Sequence, residues 1–201
     1  YNYRTSVEGC RVKFDVNAFY NDINNLITLA QTTATEYSYV NIGRYKTAGI
    51  QFTNSLKFKR FSMQTGFNYT GRDNQLSETE DIPEYAFSPE VLENLSYKWI
   101  KQKLTFSVFY KYNGQLPGFA VVNDEVRQTA LAAYHTMDAT VSKLLYKDRI
   151  GITLGCKNIF DVRNLSSTLV AGGAHSSSSS SIPLSTGRNY FIKLSLSLSK
   201  E

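Results

Sequence analysis

Apolar and polar residues alternate with a period of two along most of this 201-residue chain. Val12, Phe14 and Val16, for example, alternate with Lys13 and Asp15. Successive side chains of a β-strand point to opposite faces, so this period predicts strands with one apolar and one polar face. It predicts eight strands, at about 11–29, 36–58, 61–71, 89–99, 103–113, 134–147, 149–158 and 188–199, and residues 1–8 fit the tail of a ninth.

Two predicted strands interrupt the alternation with a charged residue on the apolar face. Glu93 does so in residues 89–99, and Lys143 does so in residues 134–146. We expect either a bulge or a charge near the edge of a membrane, where a long side chain reaches water.

The predicted connections alternate between short and long. Short links fall at Lys59–Arg60, Ile100–Gln102 and Lys147–Asp148, and long links at about 71–88, 114–133 and 159–187. Short turns on one side and long loops on the other are typical of outer-membrane β-barrels, whose short turns face the periplasm. A transmembrane helix is excluded, because the sequence has no run of 18 or more apolar residues.

Aromatic residues near the predicted strand ends also favour a membrane barrel, because such rings sit in the acyl boundary while a polar tip stays wet. The predicted membrane-interface aromatics are Phe58, Phe61, Tyr69, Trp99, Tyr112 and Tyr190. The predicted fold is therefore all-β, an antiparallel transmembrane β-barrel. Its inward residues are mostly Ser, Thr, Gly and Asn, and such small residues suit the wide lumen of a larger barrel. Because no secretion leader precedes Tyr1, we expect a processed chain or a piece of a longer one.

The net charge of +5 does not indicate a nucleic-acid partner, because the basic residues lie beside the short turns and not on one face. The two cysteines, Cys10 and Cys156, are predicted to lie near opposite rims of the barrel. At that separation they are too far apart to form a disulfide, so we expect two free thiols.

Five strings resemble the last third of TonB-dependent outer-membrane receptors and occur in the same order. They are Phe19–Ile27 (FYNDINNLI), Tyr39–Gly43 with Thr47–Gln51, Tyr134–Ser142, Asn158–Asp161 (NIFD) and Gly187–Phe191. The resemblance implies a 22-stranded barrel with an N-terminal plug. Residues 1–201 would then be a C-terminal barrel segment of about eight or nine strands, with the plug and the earlier strands absent. The Asn-rich and Tyr-rich composition resembles that of Bacteroidetes-type receptors.

The resemblance implies import of a scarce solute, such as an iron chelate, haem, cobalamin or a glycan, across the bacterial outer membrane. The implied partners are outer-membrane lipid, the periplasmic TonB energy-transducing complex, reached through the plug, and a surface lipoprotein. One alternative is a complete small outer-membrane barrel acting as an adhesin or surface enzyme. Another is a soluble β-domain that binds a ligand.

The sequence predicts no catalytic centre, metal site or cofactor, so we expect no enzyme. His135 and Asp138 are three residues apart on a strand and face opposite sides. His175 lies beside a run of serines, but no third residue is placed to orient the histidine for activation of a serine nucleophile. The acidic run Glu78–Asp81 lacks the glycine and the ligand spacing of a calcium-binding loop, so we expect a solvated loop tip. Long loops often carry binding residues. The predicted substrate-binding residues in or beside them are Tyr85, Phe87, Phe119, His135, Arg163 and His175.

Overall fold

The structure is a computed structural model that describes residues 1–7, 9–31, 36–41, 44–74, 85–122, 125–169 and 179–197. The strands are β1 (Asn2–Val7), β2 (Cys10–Asn24), β3 (Ile27–Gln31), β4 (Tyr37–Asn41), β5 (Arg44–Phe58), β6 (Phe61–Asn74), β7 (Ala86–Trp99), β8 (Leu104–Asn113), β9 (Leu116–Val122), β10 (Glu125–Leu131), β11 (Tyr134–Leu145), β12 (Ile150–Lys157), β13 (Asn164–Leu169), β14 (Ser179–Pro183) and β15 (Asn189–Leu196). A single 3₁₀ turn, Ile100–Gln102, separates β7 from β8. No described helix is long and apolar enough to cross a bilayer.

Nine strands form one antiparallel sheet, which we call the wall. Its order is β1-β2-β5-β6-β7-β8-β11-β12-β15. The longest register joins β2 to β5, from the pair Cys10 and Phe58 to the pair Asn24 and Arg44. In the described part of the chain β1 and β15 are the two edges of the wall and do not pair with each other. The predicted all-β fold is confirmed as part of a barrel wall, and an open sheet argues against the alternative of a complete small barrel.

The connections of the wall separate by length, as predicted. Short connections join β1 to β2, β5 to β6, β7 to β8 and β11 to β12, and they all lie at one end, which we call the turn end. Long connections join β2 to β5, β6 to β7, β8 to β11 and β12 to β15 at the opposite loop end. A barrel in an outer membrane places the turn end in the periplasm and the loop end outside the cell.

The long connections contain a second sheet, the loop sheet, which the sequence does not predict. Its order is β14-β13-β10-β9-β3-β4, and β3 meets β9 through the parallel pair Gln31 and Ala120. The predicted strands 11–29 and 36–58 are wrong as continuous strands, because each divides between the wall and this loop sheet. Asn25 marks the first division with a φ of 56°, a left-handed conformation that ends the strand. The period of two continues on both sides of Asn25, so alternation alone does not reveal where the chain leaves the wall.

Of the two explanations left open for these charges, a bulge is wrong, because the registers of β7 and β11 run unbroken past Glu93 and Lys143. Glu93 lies in the middle of β7, where its Oε2 accepts a hydrogen bond of 2.6 Å from the Thr65 hydroxyl. Lys143 lies near the turn end of β11 and is exposed. The edge-of-membrane explanation therefore fits Lys143, whereas a cross-strand hydrogen bond holds Glu93.

Several glycines of the wall face a large residue directly across the sheet. Gly155 pairs with Phe191, whose ring would overlap a Cβ added to the glycine. Gly71 pairs with Phe87 in the same way. The rings occupy the space that a side chain would fill, so each pair keeps the sheet packed where a glycine would otherwise weaken it.

Candidate functional site

The wall has one apolar and one polar face. On β5, for example, Ile50, Phe52 and Leu56 share one face, and Gln51 and Ser55 share the other. Among the described residues Leu165 is the one buried apolar side chain, while Ile50 and Leu154 are each 53% exposed and Leu194 is 64% exposed. A sheet with its large apolar side chains turned outward and no apolar core behind it requires hydrocarbon on that face.

The polar face holds a groove across β5, β6, β7, β8 and β11, with a volume of about 600 Å³. Its lining is rich in hydroxyl and amide groups and includes two lysines: Ser62, Gln64, Asn94, Ser96, Lys57 and Lys98. These groups offer hydrogen bonds to water, to a polar protein surface or to a hydrated solute.

Nearer the loop end, the polar face carries a bonded set of charged and amide groups. Glu90 accepts a hydrogen bond of 3.1 Å from Asn68 and forms an ion pair of 3.4 Å with Lys111. Neighbouring Asn113 is only 4% exposed. These cross-strand contacts join β6, β7 and β8 on the side of the wall that faces away from lipid.

Three of the predicted substrate-binding residues lie in aromatic clusters at the loop end. Phe87 stacks on Tyr69 with ring centroids 5.0 Å apart, and Tyr85 stacks on Phe87 at 6.0 Å. The His135 ring lies 5.2 Å from that of Phe160 and 6.3 Å from those of Tyr110 and Tyr112. By their position in the strand registers, Phe87 and His135 lie on the apolar face of the wall, so these ring clusters belong to that face near the loop end.

The predicted interface aromatics divide between the two ends of the wall. Phe58, Phe61 and Trp99 lie at the turn end, directly beside the short turns. Tyr69, Tyr112 and Tyr190 lie in the loop-side halves of their strands. Two aromatic belts separated by an apolar band are the arrangement expected at the two surfaces of a membrane.

The best-connected polar site lies where the last long connection leaves and rejoins the wall. Asn158 is 8% exposed, and its Nδ2 donates to the carbonyl of Val162 and to the Ser185 hydroxyl, both at 2.9 Å. Its Oδ1 accepts from the Val162 N–H at 3.0 Å, and its own N–H donates to Asp138 Oδ1 at 2.8 Å. We call Asn158, Asp161, Ser185 and Arg188 the loop latch.

Asp161 and Arg188 complete the loop latch. The Arg188 N–H donates to Asp161 Oδ1 at 2.8 Å, and the Arg188 guanidinium donates to the Ile159 carbonyl. Arg163 also donates to Asp161, at 3.1 and 3.2 Å. The Arg163 side chain and then the Arg188 N–H hold the pKa of Asp161 below its ordinary value of 3.8. Asn158 and Asp161 have φ values of 52° and 57°, a left-handed conformation that Asn and Asp adopt more readily than most residues.

The lowered pKa of Asp161 predicts an acid-sensitive loop latch. A depressed carboxylate pKa contributes stability that is present above the unfolded value and is lost as pH falls through the folded value. Unfolding of the receptor in detergent should therefore show wild type more stable than Asp161→Asn at neutral pH. This difference should shrink as the pH is lowered below about 4. A difference that stays constant across the titration would contradict the role given to the Asp161 charge.

The string Asn158–Asp161 resembles the family in sequence, but the sequence alone does not indicate a site there. The left-handed backbone explains why Asn and Asp stand there, but Ser185 and Arg188 become neighbours only through the fold. Of the six predicted substrate-binding residues, the structure brings together Tyr85 and Phe87. Arg163 contacts the loop latch. His135 faces away from Asp138, as predicted.

Some predicted features lie outside the described part of the chain. These are His175, the side chain of Phe119 and the acidic run Glu78–Asp81. Both cysteines are free, as predicted. Cys10 pairs in register with Phe58 at the turn end of β2, and five strands of the wall separate β2 from β12, which holds Cys156. Within the described residues no group of three or more His, Cys, Asp or Glu side chains is placed to hold a metal ion.

The chain matches one protein-family model over residues 4–159, more than half of its length. The description of that family is TonB dependent receptor-like, beta-barrel. No curated protein and no solved structure matches the chain. The match covers β2 to β12 and ends within the NIFD string that begins the loop latch. The family and an outer-membrane barrel were both predicted from the sequence and are confirmed, whereas a soluble β-domain is wrong. The chain belongs to the TonB-dependent receptors, and its nine-stranded sheet is part of the β-barrel of a bacterial outer-membrane transport protein.

Proposed function

We propose that residues 1–201 are the C-terminal barrel segment of a receptor that imports a scarce solute through a plugged lumen. The candidate solutes are an iron chelate, haem, cobalamin or a glycan. The observation that carries the proposal is the polar groove on the face of the wall opposite to the apolar face. A wall that is apolar outside and lined inside by hydroxyl and amide groups separates lipid from a hydrated interior.

In this proposal the groove faces the plug. The groove lies towards the turn end, since Lys57, Ser62 and Lys98 are within three residues of the short turns. Its hydroxyl and amide groups suit the polar surface of a domain that must move during transport, because hydrogen bonds exchange with water at little net cost. The plug would also be the route to the periplasmic TonB energy-transducing complex.

The loop end is the proposed place for solute binding. Among the predicted binding residues, Arg163 is the best placed to contact a solute, because its exposed guanidinium lies at the base of the last long connection. The aromatic clusters of Tyr85, Phe87 and His135 continue the apolar face, and this position supports lipid contact more than solute contact. Phe119 and His175 stay in the proposal as loop residues. A surface lipoprotein would cap the loop sheet in a receptor for glycans.

Uptake by cells tests this function. Deleting the native receptor should abolish energy-dependent uptake of one labelled solute from the four classes, and restoring the gene should recover it. Ser96→Arg places a large cation in the groove and should reduce that uptake about tenfold or more, because it obstructs the interior or displaces the plug. Ser96→Ala is the matched control and should transport normally.

The measurement has a clear negative outcome. If deletion leaves uptake of all four solute classes unchanged, the import proposal fails. If Ser96→Arg reaches the outer membrane in normal amounts and transports like wild type, the groove does not face the transport path.

A further inference from the structure

Three successive short turns of the wall repeat one arrangement, an exposed apolar residue followed by cations. Phe58 (42% exposed) precedes Lys59 and Arg60 in the first turn. In the second, Ile100 (63% exposed) precedes Lys101 and Lys103, and in the third, Tyr146 (75% exposed) precedes Lys147 and Arg149. We call these six cations, Lys59, Arg60, Lys101, Lys103, Lys147 and Arg149, the basic rim.

The three turns lie side by side. They join β5 to β6, β7 to β8 and β11 to β12, which are six consecutive strands of the wall. At about 4.8 Å between strands, the basic rim extends roughly 25 Å along the turn end. It is therefore a continuous band and not three separate positions.

The basic rim has little compensating negative charge. Among the described residues, the carboxylate paired with it is Asp148, whose Oδ1 lies 2.6 Å from Lys103 Nζ. Within the described chain the other five cations have no carboxylate at ion-pair distance, and Lys59 Nζ lies 5.1 Å from the Phe58 ring centroid. Five cations remain available to an outside anion.

We propose that the basic rim binds the phosphodiester headgroups of anionic phospholipids in the periplasmic leaflet of the outer membrane. The exposed Phe58, Ile100 and Tyr146 suit the edge of the hydrocarbon layer, and cations directly beyond them reach the depth of the phosphates. Clustered Lys and Arg next to a membrane are attracted to anionic lipid. The apolar neighbours favour lipid over an acidic periplasmic protein, which would offer them no hydrocarbon. This inference depends on membrane location and not on the solute transported.

Lipid retention by the intact receptor tests the proposal. The native receptor is reconstituted in bilayers of equal phosphatidylglycerol and phosphatidylcholine, extracted gently, and its bound lipid is measured by mass spectrometry. Wild type should retain phosphatidylglycerol in excess. The ratio of retained phosphatidylglycerol to phosphatidylcholine should fall about fivefold or more in a variant with five substitutions. These are Lys59→Gln, Arg60→Gln, Lys101→Gln, Lys147→Gln and Arg149→Gln. Asp148→Asn is the matched opposite change and should raise the ratio, because it frees Lys103.

Fold and ligand source are controlled separately. Heat-modifiable migration in electrophoresis shows whether each barrel is folded. If the variant with five substitutions does not fold, the double variant Lys59→Gln and Arg60→Gln should still lower the ratio of phosphatidylglycerol to phosphatidylcholine in part. An unchanged ratio in a folded variant would overturn the proposal. So would displacement of phosphatidylglycerol by inorganic phosphate at matched ionic strength, since the rim would then recognise a free anion. Equal retention of both lipids by wild type would also overturn it.

Discussion

Replacing Ile50 by arginine should destabilise the folded receptor by roughly 2–4 kcal/mol, the cost measured for a cation at the lipid-facing midplane of such barrels. Ile50 lies in the middle of β5 on the apolar face and is 53% exposed. An arginine there must leave water for hydrocarbon, and both ends of the strand are too far for its side chain to reach the interface easily.

The next residue provides a matched control. Gln51 has the same depth but faces the polar side, where it is exposed. Gln51→Arg should cost less than about 1 kcal/mol, because a hydrated lumen accepts charge. Unfolding of both variants by denaturant in lipid vesicles measures the difference. Equal stability of the two variants would show that the faces of the wall are assigned wrongly.

Asn158→Ala should open the base of the last long connection at a cost of roughly 4 kcal/mol. The change removes three hydrogen bonds of the Asn158 side chain, each with a net contribution of about 1 kcal/mol. It also places alanine at a φ of 52°, which costs a residue with a Cβ about 1 kcal/mol. Hydrogen exchange at the Ile159 and Val162 amides should become roughly several hundredfold faster, since 1.4 kcal/mol corresponds to a factor of ten.

Two further variants separate the causes. Asn158→Gly keeps the left-handed backbone without strain but loses the hydrogen bonds, so it should recover about 1 kcal/mol of the loss. Asn164→Ala changes an exposed asparagine a few residues away and should leave exchange unchanged. Slow, wild-type exchange at Ile159 and Val162 in Asn158→Ala would show that Asn158 does not hold the connection.

Sequence reasoning was most successful where a strand lies in the wall. Each wall strand has lipid on one side and a polar interior on the other, so its residues alternate, and the alternation of Ile50 with Gln51 is visible without coordinates. The same reasoning separated His135 from Asp138 correctly. It failed at Asn24–Ile27, because β3 in the loop sheet alternates as a wall strand does and the period carries no information about which sheet a strand joins.

The candidate site was predictable only in part. The NIFD string at Asn158–Asp161 was recognisable, and its Asn and Asp suit the left-handed backbone of a turn. Its partners were not predictable, since Ser185 and Arg188 are more than 20 residues away in the sequence and reach Asn158 and Asp161 only when β15 pairs with β12. Glu93 is similar: the sequence shows a carboxylate on the apolar face, and only the register with β6 supplies Thr65 as its hydrogen-bond donor.

The sequence by itself determined the fold class, the two faces of each wall strand, the separation of short turns from long loops, and the family. These are local properties, because side-chain direction in a strand and connection length depend on neighbours in the chain. Tertiary structure alone decided the strand order, the loop sheet, the loop latch and the continuity of the basic rim. Each of these depends on register between strands distant in sequence, and many registers satisfy the same alternation until the whole sheet is paired.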